Sequence, residues 1–140
     1  MGSAYISPGL RRLVYERAGG RCEYCLIPAS VVFANFEYDH IFSQKHGGKT
    51  HAGNLALCCT LCNKLKGSDL SSFDPITNEV VPFYRPRRHR WLDHFELHGA
   101  QITPVTAIGR ATVQVLKLNL AARIQEREHL ILAGIFKVPA

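Results

Sequence analysis

Hydrophobic and polar positions along the chain fall into short blocks, each carrying its own period. Leu10, Leu13, Val14 and Ala18 share one face at helical spacing. Ser7 stands where an N-cap belongs and Pro8 at the first helical position. The helix runs through LRRLVYERA and stops at Gly19-Gly20. VVFANFEYDHI, from Val31 to Ile41, is β-branched and aromatic and reads as one bent strand, or as two short ones broken near Asn35. Residues 43–53 form a loop punctuated by Gly47, Gly48 and Gly53. Asn54-Leu-Ala-Leu opens a short turn or strand, and a short helix is expected from Thr60 to about Lys66, ended by Gly67.

The second half reads as a loop over 69–74, a turn over 74–78 and a strand from Glu79 to Tyr84. From Trp91 to His98 the chain alternates, with Trp91, Asp93, Phe95 and Leu97 on one side and Leu92, His94, Glu96 and His98 on the other, which is strand periodicity. After a turn at Gly99 comes a short strand, Gln101 to Val105. Thr106 is expected to cap a helix to about Leu118, and Asn119 a last helix that ends before Gly134. Leu116, Leu118, Leu120, Ile124, Leu130 and Ile131 are expected in the core. The pattern is that of an α+β chain with an N-terminal helix and a C-terminal strand-plus-helix extension.

The chain has 140 residues and 46% hydrophobic content, enough for one domain with a modest core. No apolar run of about 18 residues occurs, so no membrane span is expected. Met1 to Arg12 lacks the apolar stretch of a signal peptide, and a cytoplasmic location is the expectation. The formal charge is +6, with a dense run at Arg85-Pro86-Arg87-Arg88-His89-Arg90. That balance favours a polyanion partner, most simply nucleic acid; a solvated basic surface is the alternative.

Five cysteines are present. Cys22 and Cys25 form one C-x-x-C pair, Cys59 and Cys62 another. Without a secretion signal this spacing reads first as a zinc site, and otherwise as two disulfides or four free thiols. Four thiolates at about 2.3 Å complete a tetrahedral Zn²⁺ and leave no open position, so such a site is structural. Cys58 makes no C-x-x-C with Cys62 and is read as a small buried hydrophobe.

Zinc leaves Asp39, His40, Asn54 and Asn63 unexplained. Asp39 offers a carboxylate and Asn63 an amide oxygen to a hard divalent cation that keeps waters for substrate. His40 beside them is a nitrogen base suited to activating water. His46 and His51 are read as solvated loop residues. His94 and His98, on a strand, would stand about 13 Å apart at about 3.3 Å per residue, so they are read as surface or packing residues rather than a metal pair.

The order C-x-x-C … D-H-I … G-G … N-L … C-x-x-C-N-x-x-K, from about Arg21 to Gly67, resembles the HNH endonuclease family, the zinc-supported branch of the ββα-metal (His-Me finger) nucleases. The later segments DPITNEVV, WLDHFELHGAQI and TAIGRATVQVLKLN resemble, more loosely, the tail of small bacterial HNH proteins. The resemblance implies a single domain over 1–140, with a ββα-metal core at about 21–67 stapled by structural zinc and an extension over about 74–140. It implies a metal-dependent endonuclease that hydrolyses phosphodiester bonds in DNA, with RNA left open. His40 matches the general base and Asp39 the acidic metal ligand. Asn54 matches the central asparagine that holds the ββ turn and the base. Asn63 falls where the family has its last histidine, an HNN pattern that shifts the expected catalytic metal toward Mg²⁺ or Mn²⁺. Cys22, Cys25, Cys59 and Cys62 match the structural zinc ligands. Lys66 matches a basic position expected at phosphate, and Arg85, Arg87, Arg88 and Arg90 are candidates for the DNA backbone. The alternatives are a catalytically silent zinc-dependent DNA-binding module and a zinc-stabilised interaction domain. Substrate sequence and oligomeric state are not legible.

Overall fold

A computed structural model describes residues 5–32 and 35–139 of the chain. The first helix, α1, spans Pro8–Arg17, and the Ser7 hydroxyl caps it by accepting from the Leu10 N–H at 3.2 Å. Gly19 and Gly20 both take positive φ (64° and 68°), which turns the chain back. Val14 and Ala18 are buried, but Leu13 is 46% exposed, so the buried stripe is narrower than its helical spacing suggested.

Strand β1 (Glu37–His40) pairs antiparallel with β2 (Leu55–Cys58), His40 opposite Leu55 and Glu37 opposite Cys58. Of the one bent or two short strands expected over 31–41, only Glu37–His40 is strand; Val31 ends a short 3-10 turn, Ala29–Val31, and Phe33 and Ala34, near the expected break, lie outside the described residues. All four β2 residues are fully buried, which is why LALC shows no polar alternation. Leu55 and Leu57 pack with Ile6, Val14 and Ala18 of the α1 side, while Ala56 and Cys58 join the larger core. Period-two geometry thus lets one strand serve two apolar clusters.

The 43–53 loop contains two single 3-10 turns, Gln44–His46 and Ala52–Asn54. Gly48 is required by a close approach, since a Cβ there would stand 1.6 Å from the Phe42 carbonyl oxygen. Helix α2 covers Thr60–Lys66 and ends at Gly67 (φ 53°), as the sequence predicted. Its N-cap is Cys59, whose Sγ accepts from the Cys62 N–H at 3.4 Å.

Beyond α2 the structure departs from several expectations. The 69–74 segment is not all loop: β3 (Ser71–Phe73) pairs with β4 (Val80–Pro82), a shorter strand than the one expected over 79–84. Trp91–His94 is one helical turn, α3, and only Phe95–His98 is strand, β5. β5 pairs with β6 (Gln101–Pro104). Thr106 caps α4 (Ala107–Val115) as expected, its hydroxyl accepting from the Gly109 N–H at 3.0 Å. The last helix, α5, covers Ala121–Leu132, but Asn119 does not cap it. Asn119 instead accepts from Ile102 N–H at 2.9 Å and donates to Ile102 O at 2.7 Å, tying the α4–α5 link to β6. Leu116, Leu118 and Leu130 are core, whereas Leu120 and Ile131 are 45% and 38% exposed. The architecture is mixed α and β, three two-stranded sheets among five helices within the described residues.

Candidate active site and metal centre

The two C-x-x-C turns meet. Cys22, Cys25, Cys59 and Cys62 are buried, and their four sulfurs lie within 4.8 Å of one another. Cys25 and Cys59 Sγ are 3.7 Å apart, too far for a disulfide of about 2.05 Å. That spacing matches the edge, roughly 3.8 Å, of a sulfur tetrahedron with Zn–S near 2.3 Å. All five cysteines are free thiols. Local backbone makes the first turn: Cys22 N–H donates to Ile27 O at 2.9 Å, and Leu26 takes φ 69°. Glu23, between the ligands, ties the turn to β2 twice, through Glu23 N–H to Leu57 O at 2.9 Å and Leu57 N–H to Glu23 Oε2 at 2.8 Å.

The sulfurs compete for charge. Hydrogen bonds from Cys22, then Cys59 and Cys62, draw the Cys25 thiol well below its ordinary value. Burial, first, holds Cys22 well above its own. A cluster that will not carry four negative charges unaided is the donor set a divalent cation completes, and it fits structural zinc. Cys58 is fully buried on β2 and stays outside the four.

The second constellation lies where β1 ends. Asp39, His40 and Asn63 line one open cleft of about 260 Å³, together with Tyr38, Ser43, Gln44, Gly67 and Ser68. Asp39 is buried, and its Oδ2 takes both the Tyr24 hydroxyl and Lys66 Nζ at 3.2 Å. No donor among the described residues reaches its Oδ1. Burial, the largest influence, pushes the Asp39 carboxyl above its usual value against the pull of Lys66 and Tyr24. Asn63 donates its amide N–H to Glu37 Oε2 at 3.1 Å, and no donor among the described residues reaches its Oδ1. His40 Nε2 is 2.8 Å from the Thr50 hydroxyl. Two hard oxygens, one carboxylate and one amide, therefore share an open cleft with an imidazole, and this set fits a Mg²⁺-like ion that keeps its waters.

Asn54 stands behind the cleft. Its Oδ1 accepts from Phe42 N–H at 2.9 Å, and its Nδ2 donates to Phe42 O at 3.0 Å and Lys49 O at 2.8 Å. The side chain closes the turn that leaves His40 at the cleft edge. Lys66 corrects an expectation: it is 3% exposed, not at the surface where phosphate would meet it, and its ammonium serves Asp39 and the Ile41 carbonyl. Arg87 is corrected too, because it is paired with Glu23 and aimed at Leu55 O. Burial pushes the Glu23 carboxyl up, so a cation there stabilises it. Arg85 is half-buried over the Phe42 ring, 4.8 Å from its centroid, while Arg88 and Arg90 are exposed. His46 and His51 are exposed loop residues. His94 bonds Thr106 and His98 bonds Glu96, so the two do not converge. Sequence reasoning passed over Tyr24, Glu37 and Thr50, whose only signal lay in partners distant along the chain.

Residues 22–69 match the family model described as HNH endonuclease. No curated protein and no solved structure matches the chain significantly. The matched stretch contains both cysteine pairs, the cleft residues Asp39, His40 and Asn63, and the buttress Asn54. Through that stretch, about a third of the 140 residues, the chain is similar to the HNH endonuclease family.

Proposed function

We propose that the protein is a metal-dependent endonuclease that hydrolyses phosphodiester bonds in DNA from the cleft at the end of β1. The observation that carries this reading is the convergence of Asp39, His40 and Asn63 on one open cleft, next to the chain order β1, β2, α2, with the second cysteine pair at the start of α2. Asp39 Oδ1 and Asn63 Oδ1 are the oxygens that would hold Mg²⁺ or Mn²⁺. Such an ion, when bound, supplies positive charge to the developing phosphorane and the leaving 3′-oxygen.

The residues of the chain do the rest. In the tautomer where Nε2–H donates to Thr50 Oγ1, His40 keeps a free lone pair on Nδ1 and takes a proton from water there. The water oxygen attacks phosphorus, and the 3′-oxygen leaves. Asn54 holds the turn, and Glu37 orients the Asn63 amide. Arg85, Arg88 and Arg90 supply charge for the DNA backbone.

The test is supercoiled-plasmid cleavage by wild type and His40→Ala at matched zinc content, with EDTA, Mg²⁺ and Mn²⁺ in turn. Cleavage only with added metal, and a fall of about 10²–10⁴-fold in the variant, is the expected result. A second reading, a zinc-dependent DNA-binding module without catalysis, draws on the Lys66–Asp39 ion pair, which already occupies one carboxylate oxygen. Zinc-loaded wild type that binds plasmid and never cuts it, in a manner that weakens steeply with salt, would favour that module.

A further inference from the structure

Helix α5 lies outside the stretch that matches the family, yet it reaches the sulfur cluster. Arg123 is 7% exposed. Its Nη2 donates to Cys62 Sγ at 3.0 Å and stands 3.9 Å from Cys59 Sγ. Its Nη1 donates to Leu116 O at 2.7 Å, at the C-terminal end of α4. Among the described residues no carboxylate forms an ion pair with it. A buried guanidinium without a counter-charge is unfavourable. The groups it faces here are sulfurs, which become negative when they ligate a metal.

Four thiolates around one dication leave a net charge of −2 in a buried place. One arginine held against two of them halves that excess. Arg127, one turn further along α5, shows that burial alone does not explain the contact. It is 2% exposed, and it donates to Ala100 O at 2.7 Å, Leu118 O at 2.8 Å and Asn119 Oδ1 at 3.0 Å, all oxygens. The two buried arginines of one helix therefore do different work.

We infer that Arg123 is a positioning residue of the zinc centre: it holds the Cys59–Cys62 pair, offsets the charge of the thiolates and couples α5 to metal occupancy. The same residue also guards access. Cys25 and Cys59 line a cavity of about 240 Å³ that Arg123 and Glu126 wall on one side. Without the guanidinium this side opens toward a chelator. The inference concerns metal retention and stands apart from catalysis.

The experiment uses the full chain as wild type, Arg123→Met, Arg123→Gln and Arg127→Met, each loaded with zinc and separately with Co²⁺. Zinc affinity is read by competition with a chromogenic chelator. The sulfur-to-cobalt charge-transfer band reports the thiolates directly, and a role confined to helix packing would leave it in place. Arg123→Met should lose affinity about 10–100-fold, the range for partners of metal ligands, and move the band to lower energy. Arg123→Gln, which keeps an N–H donor without charge, should move both in the same direction by less. Arg127→Met should leave the band unmoved. If Arg123→Met fails to fold, Arg123→Gln carries the test. Wild-type band and affinity in a folded, metal-loaded Arg123 variant would overturn the inference, and so would an equal band shift in Arg127→Met.

Discussion

Asn54 makes three hydrogen bonds across the loop between β1 and β2, to both polar groups of Phe42 and to the Lys49 carbonyl. Thr50, one residue beyond Lys49, meets His40. The base is thus oriented by a hydroxyl whose place depends on that closed turn. Thr50→Val keeps shape and removes the hydroxyl. One hydrogen bond is worth about 1 kcal/mol, so kcat for plasmid cleavage should fall about fivefold to tenfold while the melting midpoint drops by at most about 4 °C. An unaltered kcat would show that His40 needs no such partner. Asn54 and the cysteines were legible because their side chains act within local motifs of fixed spacing. Thr50, Tyr24 and Glu37 were not, because a hydroxyl or carboxylate becomes functional only through a partner that folding brings near. Lys66 was misplaced for the same reason: nothing local says that its ammonium turns inward to Asp39.

At the scale of elements, the turn between β3 and β4 is built on Asp74. Its carboxylate, fully buried, accepts from Ile76 N–H and the Thr77 hydroxyl and takes both Nε and Nη2 of Arg110 on α4 at 2.8 Å. The Arg110 hydrogen bonds, chiefly, hold the Asp74 carboxyl well below its usual range. Unfolded, it titrates near 3.9. Its contribution is therefore whole above about pH 4 and is lost as pH falls toward the depressed folded value. Asp74→Asn should unfold at lower urea than wild type at about pH 7, and the gap should narrow progressively as pH falls below about 4. A gap that does not vary with pH would mean the ion pair is not what joins the hairpin to α4. The Trp91–His98 segment shows why some elements were misread. Trp91 and Phe95 are four apart, and their rings pack at 5.0 Å. Four residues return to the same face in a strand, and nearly so in a helix. Alternation alone could not separate one helical turn plus a strand from a longer strand. The end of helix α2 was legible because Gly67 marks it, while its cap, Cys59, shows only in the structure.

For the molecule as a whole, the cysteine pairs flank the β1–β2 hairpin, and the core around them extends to residues of α4 and α5. Metal binding and folding should then be one equilibrium. Each tenfold rise in buffered free zinc should add about 1.4 kcal/mol while the site is saturated. That is about 5 °C in the midpoint for a chain of this size. A strong chelator should lower the midpoint and abolish near-ultraviolet signal from Trp91, which is anchored by its indole N–H to Tyr24 O at 3.0 Å. A midpoint insensitive to zinc would argue against a structural metal.

The arginine that touches Cys62 comes 61 residues after it in the chain. On a ribosome making about 5–20 residues per second, that interval is roughly 3–12 seconds. All four sulfurs are synthesised before their guanidinium partner exists. If Arg123 retains the metal as inferred above, zinc would exchange more readily from a chain still lacking α5 than from the finished protein.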